Sequence, residues 1–158
     1  MTVTAAIPVL TARADRHPER LLVRIGCELF ALELTAGEEA LEMPPLEPMP
    51  DAPARLLGMA AWRGRHLPVF TPEHALGAAP VARSLLLVLR DGERRVGIAV
   101  DDVLDVVAID PATLRRPPVS ITGDEVVVAV ARRGEELISV LDAPTLVRAC
   151  LGSEETSR

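Results

Sequence analysis

The run Leu85-Leu86-Leu87-Val88-Leu89-Arg90-Asp91-Gly92-Glu93-Arg94-Arg95-Val96-Gly97-Ile98-Ala99-Val100 decides the fold. Residues 85–89 are continuously apolar, Asp91-Gly92 is a strong hairpin signal, and residues 96–100 are a second apolar run. A third strand follows over residues 103–109, with Asp105 pointing opposite to Leu104 and Val106. Residues 126–131 and 137–141 form another hairpin about Arg133-Gly134. After it, Asp142 is a good N-cap for a short helix that carries Leu146, Val147 and Leu151 and stops at Gly152.

The first half follows the same pattern. Residues 1–20 hold Pro8, Pro18 and mixed charges without periodicity and read as a flexible lead-in. Residues 21–25 and 28–34 form a hairpin turning at Gly26-Cys27-Glu28. The second of these strands alternates, placing Phe30, Leu32 and Leu34 on one half-buried face. Five of the ten residues 44–53 are proline, a density that no regular element survives. A helical turn is expected over residues 54–57, ended by Gly58. Strands at 59–62 and 66–70 then flank an Arg63-Gly64-Arg65 turn, and 72–79 is a loop. The count is about ten short strands without a βαβ rhythm, which predicts an all-β protein of small barrels.

Composition excludes several classes of function. The 158 residues are 49% apolar and 25% charged, enough for one domain or two small barrels sharing a core. The 23 acidic residues outnumber 17 basic ones, all arginine, for a net charge of −6. Trp62, Phe30 and Phe70 are the only aromatics, so the chain is poorly equipped to hold phosphates and stack bases. The pairs Arg94-Arg95, Arg115-Arg116 and Arg132-Arg133 are explained better as solvated hairpin ends than as a nucleic-acid face. No apolar run reaches the ~18 residues of a membrane span, and the first residues lack a secretory n-region. Two cysteines, Cys27 and Cys150, fit a reducing compartment, and the chain is read as cytoplasmic.

No residue set carries catalysis. His17, His66 and His74 have no metal-ligand spacing with each other or with the cysteines. Asp101 and Asp102 are adjacent on a strand and point to opposite faces, so they cannot share a proton. A small barrel enzyme using Asp101 or Asp105 as a base would need a cleft and a raised carboxylate pKa. None of the five serines stands in a nucleophile elbow, and no glycine loop cradles phosphate. No enzyme activity, metal or cofactor is expected.

The stretch Gly58-Met59-Ala60-Ala61-Trp62-Arg63-Gly64-Arg65-His66-Leu67-Pro68-Val69 resembles the signature of the CheW-like chemotaxis coupling family. Three other stretches fit in order: the opening hairpin at 22–34; Gly97-Ile98-Ala99-Val100-Asp101-Asp102-Val103-Leu104-Asp105-Val106-Val107; and Leu137-Ile138-Ser139-Val140-Leu141-Asp142 with its helix. The resemblance covers residues 20–152. It implies two intertwined five-stranded SH3-like barrels sharing a hydrophobic seam, with short helical turns and a short C-terminal helix. The domain is then 21–152, in two barrel subdomains, with a flexible tail at 153–158. It also implies a non-catalytic adaptor that couples the cytoplasmic tips of chemoreceptors to the regulatory domain of a CheA-type histidine kinase. Such a protein is cytoplasmic, recruited to membrane-associated receptor arrays without inserting in the membrane.

Carried over residue by residue, the resemblance matches Glu39 to a family glutamate near the arginine of the Arg-Gly motif, Arg63. This implies an ion pair bracing a receptor groove formed by Gly37, Glu39, Gly58, Arg63 and Gly64. Gly58 and Gly64 would be positions where a receptor helix or a tight turn excludes a Cβ. Two departures count against receptor coupling: Gly37, where the family has a β-branched residue, and Phe70-Thr71-Pro72, where it has an acidic or amide residue and leucine. They define the alternative, a divergent module of the same fold that binds a kinase or a localisation partner without receptor coupling.

Overall fold

The computed structural model describes residues 4–6, 17–72, 83–117 and 126–152. Its strands are β1 (Thr4–Ala6), β2 (Glu19–Ile25), β3 (Glu28–Glu33), β4 (Gly37–Glu42), β5 (Leu56–Trp62), β6 (Arg65–Phe70), β7 (Leu85–Asp91), β8 (Arg94–Val100), β9 (Asp102–Ala108), β10 (Val127–Arg133) and β11 (Glu136–Leu141). One helix, α1 (Ala143–Leu151), follows them. Two sheets result, ordered β1-β4-β7-β8-β6-β5 and β10-β11-β3-β2-β9. Without the three-residue β1, each is five-stranded. The all-β architecture of two barrels matches the expectation.

Side-chain alternation sorts the core into three clusters. Ala60, Trp62, Leu67, Val69, Leu86 and Val88 fill the first barrel. Leu22, Leu29, Ala31, Ile138 and Val140 fill the second. The seam between them takes Leu87, Leu89, Ile98 and Phe70 from one sheet, Leu21, Val23, Phe30 and Leu32 from the other, and Leu146, Val147 and Cys150 from α1. Residues 85–89 are continuously apolar because Leu86 and Val88 face the barrel interior while Leu87 and Leu89 face the seam. The same two-sided burial corrects the half-buried reading of β3: Phe30 and Leu32 enter the seam, and Leu29 and Ala31 enter the second barrel. Leu34 falls in a 3₁₀ turn after the strand.

Gly97 shows how tightly β6, β7 and β8 meet. A Cβ there would lie 2.5 Å from Leu86 Cδ1 and 3.2 Å from methyls of Leu67 and Val69. Helix α1 begins at Asp142, whose carboxylate accepts the Thr145 N–H at 3.1 Å, and ends at Gly152 with φ +89°. Arg55 Nε donates to the Cys150 carbonyl at 2.6 Å, satisfying a carbonyl in the last turn and tying the helix to the start of β5.

Three local expectations change. The helical turn over 54–57 is replaced by strand from Leu56, because Leu56 pairs with Phe70 and packs on the seam. The stretch 37–42, unassigned from sequence, is β4, held by antiparallel pairing to β7. The lead-in over residues 1–20 contains β1, whose Thr4, Ala5 and Ala6 pair with Leu41, Ala40 and Glu39, and β2 begins within it at Glu19. The expectations for 73–79 and the 153–158 tail lie outside the described residues.

Candidate functional site

The Arg63-Gly64 turn joins β5 to β6 with φ +49° at Arg63 and +75° at Gly64. Both central residues are left-handed, the signature of a type I′ hairpin turn whose twist suits its strands. Arginine is an uncommon first residue in such a turn, and its contacts hold it there. Its Nη2 lies 3.1 Å from Glu39 Oε1, and its guanidinium stacks over the Trp62 ring, 4.7 Å from the centroid. The same Glu39 oxygen accepts a hydrogen bond from Trp62 Nε1 at 3.0 Å. The Glu39 side chain is 14% exposed and that of Arg63 is 59% exposed, so the carboxylate sits inside and the cation outside.

Next to it, Glu38 takes two hydrogen bonds from Arg95, at 2.6 Å from Nε and 3.3 Å from Nη2. That bidentate bond, with Arg90 and Arg63 close by, holds the Glu38 carboxyl below the usual glutamate range. Consecutive residues of β4 therefore reach in different directions, Glu38 to β8 and Glu39 to the β5–β6 turn.

The glycines of the proposed groove have different local causes. Gly58 lies within β5 rather than at a turn. A Cβ on it would stand 2.9 Å from the Glu47 carbonyl oxygen and 2.9 Å from Leu46 Cβ. The close approach lets the proline-rich segment pair with β5 through reciprocal Glu47–Met59 backbone bonds of 2.8 Å each. Gly64 has nothing within 4 Å of a Cβ and is required by its φ alone. Gly37 has φ −86° and ψ 135°, extended backbone open to any residue.

The Phe70-Thr71-Pro72 departure is absorbed by packing. Phe70 is 4% exposed in the seam, and Thr71 is 2% exposed with its N–H donating to the Arg55 carbonyl at 2.9 Å. Asp101 accepts the Gly26 N–H at 2.6 Å and Arg83 Nε at 2.8 Å. Desolvation pushes its pKa up, but the Arg83 and Gly26 hydrogen bonds outweigh it and leave it below the ordinary value, the reverse of what a base would need. Asp105 Oδ1 accepts the N–H of Val106.

His66 is exposed on β6, His17 stands 3.8 Å from Asp110, and His74 lies outside the described residues. Among the described residues no three His, Cys, Asp or Glu side chains gather as a metal site, and no helix is long and apolar enough to cross a membrane. Cys27 is exposed, whereas Cys150 is buried and its thiol is pushed up to about 12 by desolvation. Arg94 pairs with Asp91 at its hairpin end, whereas Arg95, 22% exposed, is bound by Glu38 across the sheet rather than solvated. The residue that sequence reasoning missed at the site is Trp62. Its signal was available, since a lone tryptophan abuts the Arg-Gly turn and its N–H needs an acceptor once buried.

Comparisons with known proteins bear on this geometry. The family model for the CheW-like domain matches residues 19–150. The chemotaxis protein CheW of Rhizobium meliloti is 32% identical over 103 residues, covering 63% of this chain and 66% of the relative. The probable chemotaxis protein CheW of Rhizobium etli is 30% identical with the same coverage, so the chain spans just under two thirds of the length of these two relatives. The chemotaxis protein CheW of Treponema pallidum is 24% identical over 137 residues, 81% of each chain. The crystal structure of the scaffolding protein TtCheW from Thermoanaerobacter tengcongensis superposes with a TM-score of 0.71, covering 79% of this chain and 88% of that one. At 20% identity that likeness speaks for the fold. With the family model matched across both barrels, this chain belongs to the CheW-like domain family.

Proposed function

We propose that this chain is a non-catalytic adaptor coupling the cytoplasmic tips of chemoreceptors to the regulatory domain of a CheA-type histidine kinase. It acts in the cytoplasm, beside membrane-associated receptor arrays. The observation that supports this most is the Glu39–Arg63 pair at the Arg-Gly turn, 3.1 Å apart and braced by Trp62. It presents an exposed, oriented guanidinium at the position that the family motif marks. Gly37, Glu39, Gly58, Arg63 and Gly64 are the proposed receptor-groove set, with Glu39 and Gly58 acting through the positions of Arg63 and the 46–47 segment.

One observation favours the second reading, a module that binds a kinase without a receptor. Gly37 offers no side chain where the family places a β-branched contact. Calorimetric titration with the kinase regulatory domain and with a receptor tip from the same organism separates the two. Saturable binding to both is expected for the adaptor. Kinase binding alone selects the uncoupled module, and binding to neither by a folded protein removes the assignment.

A further inference from the structure

The segment Pro44-Pro45-Leu46-Glu47-Pro48-Met49-Pro50, between β4 and β5, has little backbone freedom. Proline fixes its own φ at about −65°, and the residue before a proline is held in the extended region. Leu46 alone in this run is neither a proline nor the residue before one. Such a chain is dictated to be a polyproline II helix, which repeats every three residues. Burial follows that period. Met43 and Leu46, three apart, pack on the core of the first barrel, whereas Pro45 and Pro48, also three apart, are exposed. The reciprocal Glu47–Met59 backbone bonds of 2.8 Å seat the segment on β5 before any partner arrives. Pro45 and Pro48 also border an open cleft walled by Met59, Ala61 and His66.

We propose that the Pro45–Pro48 ridge is a preformed ligand for another protein, one that reads it with an aromatic-lined groove rimmed by basic side chains. A P-x-x-P ridge docks between aromatic rings, and its fixed backbone loses little entropy on binding. A second copy of this chain cannot supply that groove, because Phe30, Trp62 and Phe70 are its only aromatics and none is more than 6% exposed. The basic rim follows from charge. No basic residue stands between Gly37 and Ala54, while Glu42, Glu47 and Asp51 are exposed around the ridge. One ring of the partner enters the cleft, where the Met59 thioether is a favourable neighbour for it. This proposal does not depend on the adaptor reading.

The test titrates the full chain into two probes, an SH3 domain and a WW domain, each chosen with arginine or lysine on the rim of its groove. The probes' own tryptophan fluorescence reports binding. Saturable binding is expected with at least one probe, and added salt should weaken it. Replacing a groove tryptophan of that probe by alanine should abolish it. The double variant Pro45→Ala with Pro48→Ala should bind at least tenfold more weakly, with amide exchange at Met59 unchanged to show the segment still seated. Should that variant unseat the segment, Glu47→Arg keeps the backbone bonds and reverses the charge, and it should bind severalfold more weakly. Saturable binding to neither probe, or undiminished binding by both variants, overturns the proposal.

Discussion

Removing the Glu39 carboxylate should cost more stability than removing the Arg63 cation, although the two form one ion pair. Trp62 is 6% exposed, and its Nε1–H donates to Glu39. Glu39→Ala leaves that donor buried without an acceptor, a loss of about 1–3 kcal/mol. The pair with an arginine that is 59% exposed adds at most ~1 kcal/mol. Glu39→Ala is therefore expected to cost about 2–3 kcal/mol, and Arg63→Ala no more than ~1 kcal/mol. Glu39→Gln keeps an oxygen for Trp62 and should behave like Arg63→Ala. Urea titrations read the difference: with an m-value near ~2 kcal/mol/M, the Glu39→Ala midpoint falls by roughly 1 M more than the other two. In a Trp62→Phe background, the extra cost of Glu39→Ala should disappear. A charge swap, Glu39→Arg with Arg63→Glu, should fail to restore stability, since arginine has no acceptor for the indole. The reasoning is refuted if Glu39→Gln is as damaging as Glu39→Ala, or if Arg63→Ala costs more than either.

Gly58→Ala should displace the 46–47 segment, break both Glu47–Met59 bonds and cost about 2 kcal/mol, read as faster amide exchange at Met59 and a lower urea midpoint. Glu38 has a folded-state pKa below the ordinary 4.5, so its contribution is fully present above that value and is lost as pH falls through the folded pKa. Midpoints measured from neutral to acid should fall less steeply for Glu38→Gln than for the parent chain. Gly37→Val fits the extended backbone at that position and should leave the midpoint unchanged or raise it. If Gly37 is the missing receptor contact, the valine strengthens receptor-tip binding in calorimetry by up to about 1.5–3 kcal/mol, with kinase binding unaltered.

What the sequence showed of this fold was what short-range chemistry determines. The hairpins at Gly26, Gly64, Gly92 and Gly134 were legible because each needs a left-handed residue beside apolar runs. Asp142 and Gly152 marked α1 for similarly local reasons. What escaped was set by partners distant in sequence. The segment Gly37-Glu38-Glu39-Ala40-Leu41-Glu42 has little intrinsic strand character, and becomes β4 because β7 pairs along it and two of its three glutamates, Glu38 and Glu39, are paired with arginines. The strand start at Leu56 has no local signal, because nothing nearby in sequence announces its pairing with Phe70. Of the site, the family motif supplied Glu39 and Arg63, but the shared acceptor that joins Trp62 to them needs coordinates.

The placement of that acceptor gives the site a second meaning. In the sheet order β4 and β5 stand far apart, with β7, β8 and β6 between them. Yet Glu39 on β4 reaches Trp62 at the end of β5 and Arg63 just beyond it. The Glu39 contacts therefore clasp the two ends of the first barrel where the backbone ladder does not. A variant that weakens receptor binding at Glu39 can act by opening this clasp as well as by losing a contact. Arg63 separates the two effects, because its exposed guanidinium contributes little to the clasp. If Arg63→Ala abolishes receptor-tip binding at nearly unchanged stability while Glu39→Gln preserves it, the guanidinium touches the receptor and the carboxylate serves to aim it. If binding falls only in proportion to stability in both variants, the pair is a closure of the barrel and not part of the proposed receptor groove.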